Sequence, residues 1–274
     1  MQWHTADGTD APGPNDRGLA YGDGLFETIA IREGLPRLLD RHIERLRTGA
    51  TRLRLPVPPH GEVRELVQEV LTTGVPESGR AVVKLVLTAG DGERGYARTG
   101  SRARLFAGLA RSRLPAVPSG SGVTLRWCRT RLGRNPALAG IKHLNRLEQV
   151  LARAEWNDQS VAEGLMLDTA GCIVCATMSN LFLARDGQLL TPALTHAGVA
   201  GVMRAEVLEI ADELGIATEV REIRSEDVAG ADELFLTNSQ FVLWSVSRLG
   251  QRQWGQGELT GRIRNELAVR GIFE

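Results

Sequence analysis

The segment Gly140–Leu151 constrains this chain most, because it places Lys142 at the predicted start of an amphipathic helix. Apolar residues follow the lysine at helical spacing and predict one buried stripe, made of Leu144, Leu147, Val150, Leu151 and Ala154. A lysine held inside a cleft can lose its proton and attack a carbonyl group, whereas a lysine on a surface loop is only a solvated charge. The position alone leaves both interpretations open, and solvated lysines are the more common case.

The composition indicates an ordinary globular protein. The chain has 274 residues, 42% of them hydrophobic and 24% charged, which suits one large domain or two lobes around a cleft. The 33 basic and 33 acidic residues cancel, so the overall charge recruits neither nucleic acid nor an anionic membrane. The N-terminus lacks a basic start followed by an apolar run, and no apolar stretch is long enough to span a bilayer. We expect a cytoplasmic protein.

The cysteines argue against both a disulfide framework and a metal site. The chain has only Cys128, Cys172 and Cys175, as expected in a reducing compartment. Cys172 and Cys175 have the spacing of a metal or redox pair, but they lie in a segment predicted to be a strand, where residues three apart point to opposite faces. No second such pair exists, so we expect no metal.

Periodicity and turn residues predict a mixed α/β chain in two lobes. The proline- and glycine-rich stretch Leu114–Gly122 indicates a linker, so we predict an N-terminal lobe of residues 1–117 and a C-terminal lobe of residues 118–274 that carries Lys142. The first lobe is expected to contain helices Asp40–Leu53, capped by Asp40, and Glu62–Leu71, with strands Ala81–Thr88 and Arg102–Leu109. The second is expected to contain strands Val123–Cys128, Ser179–Ala184 and Glu233–Thr237, a hairpin of Glu163–Asp168 with Cys172–Thr177, the lysine helix to Glu155, and a helix ending near Leu214.

Three motifs resemble a known family. The run IKHLNRLEQVLAR around Lys142 resembles the active-site lysine segment of aminodeoxychorismate lyases, fold-type IV enzymes that use pyridoxal phosphate (PLP). The run DRGLAYGDGLFET from Asp16 resembles the opening strand of the fold-type IV superfamily, and TMSNLFL from Thr177 resembles its SNLF signature. The resemblance extends from about Asp16 to Val246. It implies a two-lobed α/β fold with PLP at the lobe junction, in a homodimer that acts on a small-molecule substrate.

The resemblance also implies which residues hold PLP. Lys142 would bind it covalently, and Arg45, three residues after His42 in the pattern HxxRL, would grip the phosphate with its guanidinium fork. The turn GVAGVMR before a predicted helix would receive the same phosphate, with Val199 and Ala200 as the corresponding positions. The segment Thr237-Asn238-Ser239 would complete a phosphate cup, and a simple turn at a strand end is the alternative.

The glycine-rich loop between the two first-lobe strands is predicted to bind substrate. It runs from Gly90 to Ala97, is expected to be mobile, and resembles the RGY loop of the family. Arg94 and Tyr96 are therefore candidates for contacting a substrate carboxylate, and a plain surface turn is the alternative.

One position departs from the family. Fold-type IV enzymes usually place a glutamate beside the pyridine nitrogen where this chain has Cys175, so the expected ion pair is missing. Three functions follow as hypotheses. The first is an aminodeoxychorismate lyase that releases pyruvate and leaves 4-aminobenzoate for folate synthesis. The second is an aminotransferase of D-amino or branched-chain amino acids, and the third is a PLP-binding homologue without catalytic activity.

Overall fold

The structure is a computed structural model that describes residues 3–6, 12–75, 79–99, 102–111 and 122–272. The chain forms two compact units, described separately below. The first unit comprises Met1–Arg113 together with Ile141–Asn145, and the second comprises Leu114–Gly140 and Arg146–Glu274. The predicted lobe boundary at residue 118 lies outside the described residues. Ile141–Asn145, and so Lys142, groups with the first unit, whereas the sequence placed Lys142 in the predicted C-terminal lobe.

The first unit contains an antiparallel sheet. Among the described residues it has five strands in the order β1-β5-β4-β2-β3. These are β1 Trp3–Thr5, β2 Gly24–Arg32, β3 Leu35–Pro36, β4 Ala81–Thr88 and β5 Arg104–Arg111. Alternate residues of β4 are buried, as expected for a sheet with one face in the core, while Lys84 points to the less buried face.

In the described part of this unit, three helices accompany the sheet: α1 Arg17–Tyr21, α2 Leu39–Arg52 and α3 His60–Thr72. The predicted stripe of α2 is confirmed, because Ile43, Leu46 and Ala50 are buried. Asp40 lies in the first turn of α2 and is not its cap, since the residue at the cap position is Leu38, which makes no side-chain capping bond.

The second unit contains a larger mixed sheet. The described residues form nine strands, in the order β11-β10-β9-β12-β13-β6-β7-β8, with β14 paired to β13. The strands are β6 Val123–Leu132, β7 Val161–Asp168, β8 Ile173–Ala176, β9 Asn180–Arg185, β10 Gln188–Pro192, β11 Thr218–Arg221, β12 Glu233–Asn238, β13 Val242–Leu249 and β14 Arg252–Gln253. The predicted hairpin is confirmed, because β7 and β8 pair in antiparallel fashion.

The helices of the second unit are α4 Leu147–Arg153, α5 Val202–Glu213, α6 Ser225–Gly230 and α7 Glu258–Val269. Helix α4 contradicts the predicted buried stripe, because Leu147, Val150 and Leu151 are 68%, 59% and 54% exposed. Ala152 is instead the buried residue of this helix. None of the helices in the described ranges is long and apolar enough to cross a membrane.

Candidate active site

Lys142 lies beside strand β2 and five residues before helix α4 begins. The Phe26 N–H donates to the Lys142 carbonyl at 3.0 Å, and the Leu144 N–H donates to the Gly24 carbonyl at 2.9 Å. The Lys142 ammonium lies over the face of the Phe26 ring, with Nζ 4.3 Å from the ring centroid. A cation at this distance is attracted by the ring quadrupole. Strand β2 therefore holds the lysine that the sequence assigned to a helix start.

The only other lysine of the chain lies near the same ring. Lys84 Nζ is 5.8 Å from the Phe26 centroid, and Lys84 pairs with Thr28 across the β2–β4 ladder. The sequence analysis did not select Lys84, although a lysine inside the apolar run Ala81–Thr88 was a visible signal. Two ammonium groups near one aromatic ring make this face of the first unit suited to a negatively charged ligand.

A buried carboxylate binds Arg45. Glu27 accepts Arg45 Nε at 2.8 Å and Nη2 at 2.5 Å, and His42 Nδ1 lies 2.7 Å from Glu27 Oε2. Burial alone would raise the pKa of Glu27, but the charge and hydrogen bonds of Arg45, with a bond from His42, lower it to about 2. Burial lowers the pKa of His42, and the charges of Arg45 and Lys142 lower it further. The hydrogen bond and the charge of Glu27 raise the pKa of His42 but do not outweigh these effects. Glu27 is thus ionised at pH 7, and Nδ1 of a neutral His42 donates to it.

The low pKa of Glu27 predicts a pH dependence of stability. A carboxyl group whose pKa is lowered on folding stabilises the protein above its unfolded pKa, and this stabilisation is lost as the pH falls through the folded pKa. Wild-type protein should lose the contribution of Glu27 between about pH 4.5 and pH 2. The stability deficit of Glu27→Gln relative to wild type, measured by urea unfolding, should be large at pH 7 and shrink across that window. Asp40→Asn, at an exposed carboxylate paired with Arg64, should show no such change. A pH-independent deficit for Glu27→Gln would contradict the assignment.

The loop that carries Arg94 and Tyr96 is held in place. Both side chains are exposed, Tyr96 to 88%, as expected for residues available to a ligand. The backbone, however, accepts three hydrogen bonds from the buried guanidinium of Arg17, at the carbonyls of Gly95, Tyr96 and Ala97. These bonds tie the backbone of residues 95–97 to Arg17, and the expected mobility of the loop stays a prediction.

The start of helix α5 has a different geometry from the one predicted. Gly201 occupies its N-cap position, so Val202 and Met203 are among the first amides that have no acceptor inside the helix. The Ala200 N–H donates to the Gly140 carbonyl at 2.9 Å, and the Val199 carbonyl accepts from Asn180 Nδ2 at 2.9 Å. Val199 and Ala200 thus shape the turn, and Val202 and Met203, which the sequence analysis missed, offer the helix-start amides to an anion.

Thr237 lies in strand β12, which packs against helix α5. Its hydroxyl is buried and has no hydrogen-bond partner among the described residues. Thr237 pairs with Asn180 across the β9–β12 ladder, and a Cβ on Gly201 would overlap the Asn180 amide oxygen. We define the cup as Asn180, Gly201 and Thr237 together with the amides of Val202 and Met203. The Thr237 hydroxyl, which has no partner among the described residues, could donate a hydrogen bond to a phosphate oxygen.

Asn238 has a structural role in the turn after β12. Its Oδ1 accepts from the amides of Gln240 at 2.9 Å and Phe241 at 3.0 Å, while Nδ2 donates to the Met178 carbonyl at 3.3 Å. The alternative of a strand-end turn thus describes Asn238. Ser239 lies in the same turn and is half-buried.

Cys175 lies in β8, 7% exposed, and its thiol is neutral at pH 7. Burial raises the pKa of Cys175 to about 12, and the charge of Glu163 adds to this rise while that of Arg146 opposes it. Glu163 is itself fully buried and accepts from Thr177 Oγ1, from Ser179 Oγ at 2.9 Å and from the Met178 amide at 2.9 Å. The sequence analysis assigned Glu163 to a strand only. Its carboxylate shapes the turn between Cys175 and Asn180.

Comparison with known proteins places the chain in a family. The family described as "Amino-transferase class IV" matches residues 24–249, which is most of the chain. The chain belongs to the class IV aminotransferase family. The predicted fold class and family resemblance are thereby confirmed.

The individual matches include lyases and aminotransferases. The crystal structure of 4-amino-4-deoxychorismate lyase from Pseudomonas aeruginosa is similar with a TM-score of 0.88 and 46% identity, covering 99% of this chain and 100% of that one. An aminodeoxychorismate lyase from Vibrio harveyi is 34% identical over 92% of this chain and 94% of its own length. A putative branched-chain-amino-acid aminotransferase from Methanocaldococcus jannaschii is 30% identical over 92% of this chain and 88% of its own length.

Class IV enzymes depend on PLP, and the described residues fit this cofactor. Within the first unit, Lys142 offers an amine held at the Phe26 ring. Within the second unit, the cup offers helix-start amides and the Thr237 hydroxyl. At position 175, where the sequence resemblance predicted a contact to the pyridine nitrogen, this chain has a thiol and no carboxylate. In the described part of the chain, no three His, Cys, Asp or Glu side chains are grouped so that they could hold a metal ion.

Proposed function

We propose that this chain is a PLP-dependent 4-amino-4-deoxychorismate lyase, which eliminates pyruvate and leaves 4-aminobenzoate for folate synthesis. The observation that carries the proposal is the likeness to the P. aeruginosa lyase, which extends over both chains almost completely at 46% identity. The V. harveyi lyase supports it independently at the level of sequence. The segment KHLNRLEQVL around Lys142 also favours a lyase.

The residues divide the chemical tasks. When bound, PLP supplies a ring that withdraws electrons from the reacting carbon of the substrate. Lys142 would hold the cofactor through Nζ, and the same amine is the group that would take the ring proton of the substrate. In the second unit, the cup at the start of α5 would hold the phosphate of the cofactor. In the first unit, the Arg45 guanidinium is a group of the kind that binds phosphate. Arg94 and Tyr96 contact a substrate carboxylate.

An aminotransferase activity is the second candidate. The likeness to the putative aminotransferase of M. jannaschii, at 30% identity, favours it.

One assay series distinguishes the functions. The purified protein loaded with PLP should form 4-aminobenzoate and pyruvate from aminodeoxychorismate. Amino transfer from D-alanine or a branched-chain amino acid to a keto acid would instead establish the second candidate. Absence of both activities would favour a non-catalytic PLP-binding protein.

The residue at position 175 should control the balance between these two reactions. A neutral thiol with a pKa of about 12 donates a weak hydrogen bond, whereas a carboxylate keeps the pyridine nitrogen protonated and strengthens electron withdrawal. Elimination also gains aromatic stabilisation, so it depends less on that withdrawal than amino transfer does. Cys175→Glu should therefore raise the ratio of transamination to lyase turnover by about 10-fold, the worth of one charge-assisted hydrogen bond.

Cys175→Gln serves as the matched control, because it has the size of glutamate without the charge. It should leave the ratio of the two rates within about twofold of wild type. Equal gains in both reactions for Cys175→Glu, or the same ratio change for Cys175→Gln, would contradict an effect of charge at the pyridine nitrogen.

Homodimer formation and a cytoplasmic location belong to the same proposal. Leu147, Val150 and Leu151 form an exposed apolar face on α4, and contact with a second copy would remove that face from water. The three cysteines are unpaired and buried, as expected in a reducing compartment.

A further inference from the structure

Arg17 carries a buried guanidinium that the proposed chemistry does not use. Arg17 is only 3% exposed, and its guanidinium donates hydrogen bonds to several acceptors. Nη1 donates to the Gly95 carbonyl at 3.0 Å and the Ala97 carbonyl at 3.3 Å, and Nη2 donates to the Tyr96 carbonyl at 2.9 Å. Three successive carbonyls of one loop thus converge on one planar side chain. Arginine suits this task, because its five donors have a fixed geometry.

Asp23 supplies the counter-charge and ties the loop at a second point. It accepts Arg17 Nε at 3.0 Å and Arg98 Nε at 2.9 Å, and Arg98 Nη2 also pairs with it. Burial alone would raise the pKa of Asp23, but its bonds to Arg98 and Arg17 lower it. Arg98 Nη1 donates onward to the Leu53 carbonyl at 2.7 Å. The ionised carboxylate therefore holds the guanidinium of Arg17 and the end of the loop together.

The backbone that presents Arg17 is itself fixed. Asp16 is fully buried, caps helix α1 by accepting the Gly18 N–H at 2.7 Å, and accepts from Thr88 Oγ1 at 2.8 Å. The Arg17 N–H donates to the Gly90 carbonyl at 2.9 Å. Arg17, at the start of helix α1, thus binds the loop at Gly90 through its backbone and at residues 95–97 through its side chain.

The loop backbone is held by Arg17, while the candidate substrate-binding side chains of the loop remain exposed. The Tyr96 ring lies against Tyr21, with centroids 5.5 Å apart, and the Arg17 guanidinium lies 5.0 Å from the Tyr21 centroid. Arg94 and Tyr96 remain exposed. Because the backbone is fixed in advance, the loop loses less backbone conformational entropy when Arg94 and Tyr96 bind a ligand.

We infer that Arg17 is a positioning residue for substrate binding, which holds the backbone of residues 95–97 so that Arg94 and Tyr96 are preorganised for a substrate carboxylate. The inference rests on the proposed function of these two residues. Arg17 acts through the loop and contacts neither PLP nor the substrate.

The test compares Arg17→Lys and Arg17→Met with wild type. Lysine keeps the charge near Asp23 but cannot reach three carbonyls in one plane, and methionine keeps part of the volume without a donor. Both variants should raise KM for aminodeoxychorismate by roughly 10-fold or more, since small displacements of positioning groups have effects of this size. They should change kcat by less than about threefold and leave PLP affinity unchanged. Hydrogen exchange of the amides of residues 94–98, followed by mass spectrometry, should accelerate at least about 10-fold.

Arg104→Met is the control, because Arg104 makes an exposed ion pair with Asp91 in the same loop, at 2.7 Å. It should change neither KM nor the exchange of residues 94–98. Wild-type exchange in a folded Arg17→Lys protein would overturn the inference, and so would faster exchange with wild-type KM. Failure of the proposed function is distinguishable, because wild-type protein would then form no 4-aminobenzoate. If wild type transaminates instead, KM for the amino donor replaces the lyase KM, and the same outcomes apply.

Discussion

Replacing Lys142 with alanine is expected to lower 4-aminobenzoate formation by about four orders of magnitude or more. The variant loses both the amine that anchors PLP and the group that moves the substrate proton, and the removal of such a central residue has effects of this order. The fold should survive, because Lys142 is half-buried and strand β2 binds its backbone through the Phe26 amide. Steady-state kinetics of wild type and variant, with saturating PLP, measure the effect.

Lys84→Ala is the informative control, because Lys84 is the only other lysine and lies near the same aromatic ring. It should retain covalent PLP even if substrate binding weakens. Borohydride reduction followed by peptide mapping should find the pyridoxyl group on Lys142 in wild type and in Lys84→Ala. A pyridoxyl group on Lys84 in the wild-type protein would show that Lys84, and not Lys142, binds PLP covalently.

Replacing Arg45 with alanine is expected to weaken PLP binding by at least 10-fold and to destabilise the fold. Loss of a charge-assisted contact to a phosphate costs about 2–5 kcal/mol, which corresponds to a factor of 10 or more in affinity. The same change leaves the buried Glu27 carboxylate without its bidentate partner, and breaking such a pair costs about 3–5 kcal/mol of stability. Equilibrium binding of PLP and urea unfolding measure the two effects separately.

Two further variants separate phosphate binding from charge compensation. Glu27→Gln removes the ion pair but keeps the Arg45 guanidinium, so it should lose stability while its PLP affinity falls less than that of Arg45→Ala. Arg52→Ala, at an exposed arginine of the same helix, should change neither quantity. Equal PLP affinities for Arg45→Ala and wild type would leave Arg45 as the partner of Glu27 alone.

Local patterns predicted the regular elements well. Strand β4 has the predicted bounds Ala81–Thr88, and the hairpin of β7 and β8 forms where the turn residues 169–171 indicated. The stripe of α2 is buried as its spacing predicted. These features depend on residues close together in sequence, so periodicity and turn chemistry are sufficient to predict them. Family membership is likewise carried by contiguous motifs.

The same reasoning was wrong about α4. Leu147, Val150 and Leu151 have the spacing of a buried face, yet all three are more than half exposed. Spacing shows that apolar residues share a face, but it does not show whether that face packs against the same chain. The lysine was misplaced for a related reason, because Lys142 is held by hydrogen bonds to β2, more than a hundred residues earlier in the chain.

The sequence by itself predicted strands such as β4, β7, β8 and β12, helices α2, α3 and α5, the family, and Lys142 as the candidate nucleophile, since each is written in a short run of residues. Strands β10, β11 and β13 and helices α6 and α7 were not predicted. Only the tertiary structure decided which charged and polar groups meet. Arg45 with Glu27, Arg17 with Asp23 and Glu163 with Ser179 join residues that are distant in sequence or separated by a turn. The strength of such pairs depends on burial and on distances of a few ångströms, and neither quantity can be read from spacing along the chain.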